Sequence, residues 1–139
     1  MNDIMEWLSN YAYDNDIGYI MTHYLEPETP STSDCDDRLV VINMEWKNAN
    51  EVPFSFAHEI GHIMCGDKGK RYFKSENIKD KSEYRANLFA IKLLLKFCSS
   101  YGYNCKNPIK FCELFGIPLS LDYIVSMIIN DRKIGNYIN

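Results

Sequence analysis

The chain has 139 residues, of which 46% are hydrophobic and 24% charged, and its formal net charge is −4. This length suits one domain, spanning 1–139, with a single core, and the composition is that of an ordinary soluble globular protein. The acidic balance argues against a domain that grips DNA through phosphate contacts, so no direct nucleic-acid partner is expected.

The opening MNDIMEWLSNYAYDND lacks both a basic leader and a continuous apolar run, so it does not read as a signal peptide. Within it, Ile4, Met5, Trp7, Leu8, Tyr11 and Ala12 recur at helical spacing, which predicts an amphipathic helix over residues 3–13. Residues 17–25 (IGYIMTHYL) and 38–46 (RLVVINMEW) are rich in β-branched and aromatic side chains and read as strands. Between them EPETPSTSDCDD reads as a loop, and two strands this close suggest an antiparallel pair. Everything after residue 50 reads as helix or connector. Pro53 opens a helix running to Cys65, with Gly66 as its stop. Residues 67–79 form a polar, basic surface loop, and a long helix covers about Lys81 to Cys98. A break at 99–107 precedes a short helix from Pro108 to near Gly116, and a last helix covers about Leu119 to Asp131. The predicted class is α+β, helix-dominated, with a small antiparallel sheet.

The most apolar segment, Leu88 to Phe97, contains Lys92 and Lys96 and is too short to cross a bilayer, so no membrane association is expected. Five cysteines, an odd number with no CxxC pair, suit buried free thiols in a reducing compartment, here the cytoplasm.

Two of the three histidines fall in FAHEIGHIMC, residues 56–65. On a helix His58 and His62 project side by side, about 40° apart and one turn along, and can grip one Zn²⁺. Glu59 is turned about 100° from His58, outside the ligand shell but placed to act as a general base. The apolar neighbours Phe54, Phe56, Ile60, Ile63 and Met64 bury the helix, where an unpartnered histidine pair would be costly.

A third ligand is required. Cys65 lies about 10 Å along the axis from His58, too far to share the ion. Cys65 and Lys68 also stand where the pattern HExxHxxGxxH needs Gly and His. Glu83, in the first turn of the next helix, would complete a His₂Glu shell, with Asn87 one turn on as a hydrogen-bond partner for a ligand imidazole. Asp80-Lys81-Ser82-Glu83 also reads as a capping box, in which Glu83 merely caps the helix. Capping does not explain Asn87 in a helix interior, so the ligand reading is preferred. Glu76 and Glu113 are the reserves.

The motif His58-Glu59-Ile60-Gly61-His62, followed by Glu83, Ala86, Asn87, Phe89 and Ala90 in E-x-x-A-N-x-F-A, resembles the ImmA/IrrE family of zinc metallopeptidases. The order of helix, strands and helices fits as well, so the resemblance covers most of the chain. It implies a zincin-like domain in the bacterial cytoplasm, often encoded on a phage or mobile element. Such a protein cleaves a cognate DNA-binding repressor and so relieves repression. Some members carry a helix-turn-helix domain, for which this chain has no room, so a DNA-bound partner would act in trans. In the mechanism this implies, Glu59 is the base and the substrate lies as an added strand along a sheet edge, for which either predicted strand could serve. His23 and Tyr72 are candidate oxyanion donors. The rival reading is a non-catalytic antirepressor or sensor that binds its partner and uses zinc only to hold its fold. The retained Glu59 favours the enzyme, because a structural site needs no base.

Overall fold

The computed structural model describes residues 2–72, 80–103 and 105–131. In chain order these form α1 (Asn2–Asp14), β1 (Gly18–Thr22), β2 (Thr32–Asp34), β3 (Leu39–Asn43) and α2 (Val52–Met64), which a 3₁₀ turn at Ala49–Glu51 introduces. There follow β4 (Lys70–Tyr72), α3 (Lys81–Tyr101), α4 (Pro108–Phe115), a 3₁₀ turn at Leu119–Leu121 and α5 (Asp122–Asn130). The class is α+β, as the sequence predicts.

The sheet differs from expectation. Its order is β1-β3-β2-β4, and β1 runs parallel to β3, from Gly18 opposite Leu39 to Thr22 opposite Asn43. The expected antiparallel pairing fails because the supposed loop contains a strand. Residues Thr32–Asp34 form β2, which pairs antiparallel with β3 on its other side and so reverses the chain once more before β3 begins. The crossing that makes this possible is pinned by Asn43, fully buried at the end of β3. Its amide donates to the carbonyls of Glu26 (2.8 Å) and Thr29 (2.7 Å), and its own N–H donates to Ser31 Oγ (2.9 Å). A second difference is β4, which lies in the stretch read as a surface loop and pairs antiparallel with β2. Neither short strand shows an apolar alternation. Each is held by its neighbours rather than by its own propensity.

Helix boundaries follow the local chemistry closely. Ile4, Leu8 and Ala12 make the buried stripe of α1. Pro53 sits in the first turn of α2, and α3 runs three residues past the expected Cys98, to Tyr101, where Gly102 takes a left-handed conformation (φ 72°).

From Val52 to Ile63 every residue of α2 is buried. It lies in the middle of the core, with β2 and β3 on one side and α3 on another. A side-chain-free position allows α2 and α3 to approach closely. A Cβ on Gly61 would stand 2.9 Å from the carbonyl oxygen of Ala86 and 3.2 Å from its Cα. Ala would gain up to ~1 kcal/mol of helix propensity there. Overpacking against backbone, which cannot rotate away, costs about 1–3 kcal/mol. The clash therefore wins. Gly61→Ala is expected to lower the melting temperature by about 3–8 °C. Thermal unfolding of the two proteins side by side checks this, and an unchanged or higher midpoint would contradict it.

Candidate metal centre

The same contact between α2 and α3 brings the three predicted side chains together. His58 and His62 are fully buried and Glu83 is 5% exposed. The two Nε2 atoms face each other at 3.1 Å, with the rings edge to face. Glu83 closes the third side: Oε1 is 3.5 Å from His58 Nε2, and Oε2 touches His62 Nε2. One potential ligand atom from each residue falls within 4.8 Å of the others, and among the described residues no other group of three such side chains converges in this way.

Glu83 does not close the capping box, because its carboxylate lies against His58 and His62, and Asp80 alone caps the helix with its side chain. The Asp80 carboxylate accepts from Ser82 N (2.8 Å) and Ser82 Oγ (2.7 Å). The Glu83 side chain turns inward. Burial alone would raise its pKa, but the close imidazoles of His58 and His62 outweigh burial and hold it at about 2. Burial conversely disfavours the charged form of His58; Glu83 offsets this most, and Asn87, one turn beyond Glu83, adds a smaller contribution. A carboxylate and imidazole lone pairs thus converge where Glu83 Oε1 has no hydrogen bond. Such a buried donor set suits a divalent metal ion, and the residues present fit one.

Glu59 points elsewhere. Its Oε1 accepts from Ser33 Oγ at 2.8 Å, whereas Oε2 has no hydrogen-bond partner. Complete burial pushes its carboxyl well above the usual range; Ser33 opposes this, and the negative charge of Glu83 adds to it.

Two residues of this site were not legible in the sequence. Ser33 lies on the unrecognised β2 and is completely buried. Asp67 lies in the supposed surface loop, yet its Oδ2 is 2.7 Å from His62 Nδ1 and its side chain is only 4% exposed. A buried polar strand residue betrays itself only once its facing helix is known. An acid just past a helix that carries histidines could have been flagged as a second partner.

Three of the other candidates stand apart. Cys65 directs its thiol to the carbonyl of Arg85 (3.9 Å). His23 pairs with Glu45 on the surface, 2.7 Å away, and Glu113 is exposed on α4. Tyr72 ends β4, and Glu76 lies outside the described residues.

Compared with protein families, residues 19–98 match the IrrE N-terminal-like domain, Peptidase_M78. The chain belongs to this family. The matched span begins in β1 and ends within α3, so it includes both histidines, Glu59 and Glu83. Comparison with curated proteins and with solved structures gave no match. Among the described residues of this IrrE-like domain, no helix is long and apolar enough to cross a membrane.

Proposed function

We propose that the protein is a zinc-dependent endopeptidase that cleaves a cognate DNA-binding repressor, with His58, His62 and Glu83 as zinc ligands and Glu59 as general base. The observation that carries this reading is the convergence of three buried donors around one point, while Glu59, next in sequence to His58, keeps one carboxylate oxygen unpartnered. A zinc ion held there supplies positive charge that polarises a peptide carbonyl and makes water acidic near neutral pH. Glu59 Oε2, the oxygen that Ser33 does not occupy, takes the proton of the attacking water and delivers it to the leaving amine. Ser33 holds Glu59 in that orientation, and Asn87 steadies His58 from the adjacent turn of α3.

The sheet order bears on which edge could take a substrate strand. β3 is an interior strand, so of the two strands expected to serve, β1 alone lies at an edge. At the opposite edge β4 adjoins β2, the strand that carries Ser33, and Arg71 of β4 reaches Ser82 beside Glu83 (3.3 Å). We assign the substrate strand to this edge, where the exposed Lys68 and Lys70 offer positive charge in an acidic protein. Lys74 and Lys79 of the same basic stretch lie outside the described residues. Lys70→Glu should weaken partner binding by up to about tenfold at low salt, with less effect at high salt and none on zinc content. Arg71 is unsuitable for this test because it also bonds the Lys68 carbonyl (3.1 Å). Equal binding by Lys70→Glu in a titration at two salt concentrations would remove the strand from recognition.

One observation favours the second reading, a binding module with a structural metal: Glu59 is wholly buried, so no substrate reaches it without some opening of the site. Incubation of the purified protein with the repressor encoded beside its gene separates the two. Fragments on a gel support the peptidase, whereas a stable, uncut complex supports the binder.

A further inference from the structure

Glu83 brings α3 to the histidines from one side, and a second link closes the same helix pair from the other. Gly66 turns the chain back after α2 (φ 78°), and Asp67 then contacts His62 twice. Its N–H donates to the His62 carbonyl at 3.1 Å, and its Oδ2 lies 2.7 Å from His62 Nδ1. The other oxygen, Oδ1, accepts from Arg85 Nη2 at 3.1 Å, and Arg85 lies on α3 two residues beyond Glu83. A carboxylate has no proton to give, so His62 Nδ1 is the donor in this pair whether the ring is neutral or charged. Only Nε2 is then left for a metal, and it is the atom that faces His58 and Glu83. The Asp67 side chain is almost completely enclosed, whereas that of Arg85 is half exposed.

Resting on the zinc reading above, we propose that Asp67, anchored by Arg85, is a positioning residue for the metal. It fixes the His62 ring so that Nε2 faces the ion, and it locks α2 to α3 across the site. The clasp acts through His62 and touches neither metal nor substrate. Loss of such an outer partner typically weakens metal binding about 10–100-fold.

The test is zinc affinity, measured by competition with a chromophoric chelator on the full chain, together with the absorption spectrum of the cobalt(II)-loaded protein. Asp67→Ala should weaken zinc about 10–100-fold and alter the cobalt bands, because His62 is free to tilt. Asp67→Asn keeps an amide oxygen that accepts from Nδ1, so it should recover most of the affinity and the parent spectrum. Arg85→Gln, which loses a half-exposed ion pair, should cost about two- to fivefold. Thermal unfolding of the zinc-free proteins establishes which variants fold, and if Asp67→Ala does not, Arg85→Gln decides. Parent-like zinc affinity and cobalt bands in a folded Asp67→Ala, or parent-like affinity in Arg85→Gln where that variant decides, would overturn the proposal and leave the zinc reading intact. A parent protein that binds no zinc would instead overturn that reading itself.

Discussion

Replacing Glu59 with Gln should cut repressor cleavage by about 10²–10⁴-fold while zinc content and partner binding persist. The geometry explains why this substitution is clean. Gln can keep its Oε1 on Ser33, which now donates at 2.8 Å, and its NH₂ takes the place of an oxygen that has no partner. No hydrogen bond is lost. The buried carboxyl is already held well above its usual pKa by its surroundings, so an uncharged amide suits the site at least as well, and the fold should not weaken. The amide cannot take a proton from water at neutral pH, so the chemical step alone suffers. Single-turnover cleavage, with zinc measured in the same preparations, checks this. Relief of repression in cells by Glu59→Gln as effective as that by the parent would mean that proteolysis is not the function, and the binding-module reading would then take over.

Glu83→Ala should have the largest effect on metal. It removes one of the three proposed ligands, so the loss should exceed the roughly 10–100-fold that follows removal of an outer partner. The change also leaves the two Nε2 atoms facing each other at 3.1 Å without the carboxylate that lies against both rings. Asp80, not Glu83, supplies the side-chain N-cap of α3, so the helix itself should survive. Glu76→Ala and Glu113→Ala should keep about one zinc per chain. Full occupancy in Glu83→Ala, measured by elemental analysis after dialysis, would exclude Glu83 as a ligand.

The parts of this protein that were legible in the sequence are those encoded locally. Pro53, the histidine spacing and Gly66 mark α2 from beginning to end, and the helical placement of Glu83 and Asn87 pointed to the same side of α3. The sheet was less legible because its information is not local. Thr32, Ser33 and Asp34 look like a turn, and they form a strand because Ser33 meets Glu59, twenty-six positions away, and because Asn43 ties down the preceding crossing. Lys70–Tyr72 becomes a strand only because β2 offers an edge. Asp67 was hidden for a related reason: a polar residue in a polar stretch reads as solvated until the helix end folds it back onto His62.

The central claim is that one zinc ion sits between His58, His62 and Glu83. Diffraction data collected on either side of the zinc absorption edge, from crystals of the protein as purified, test it most directly. The expected result is one anomalous peak at about 2.0–2.2 Å from His58 Nε2, from His62 Nε2 and from a carboxylate oxygen of Glu83. Zinc bound by other residues, with these three side chains packed against one another and no peak between them, would contradict it.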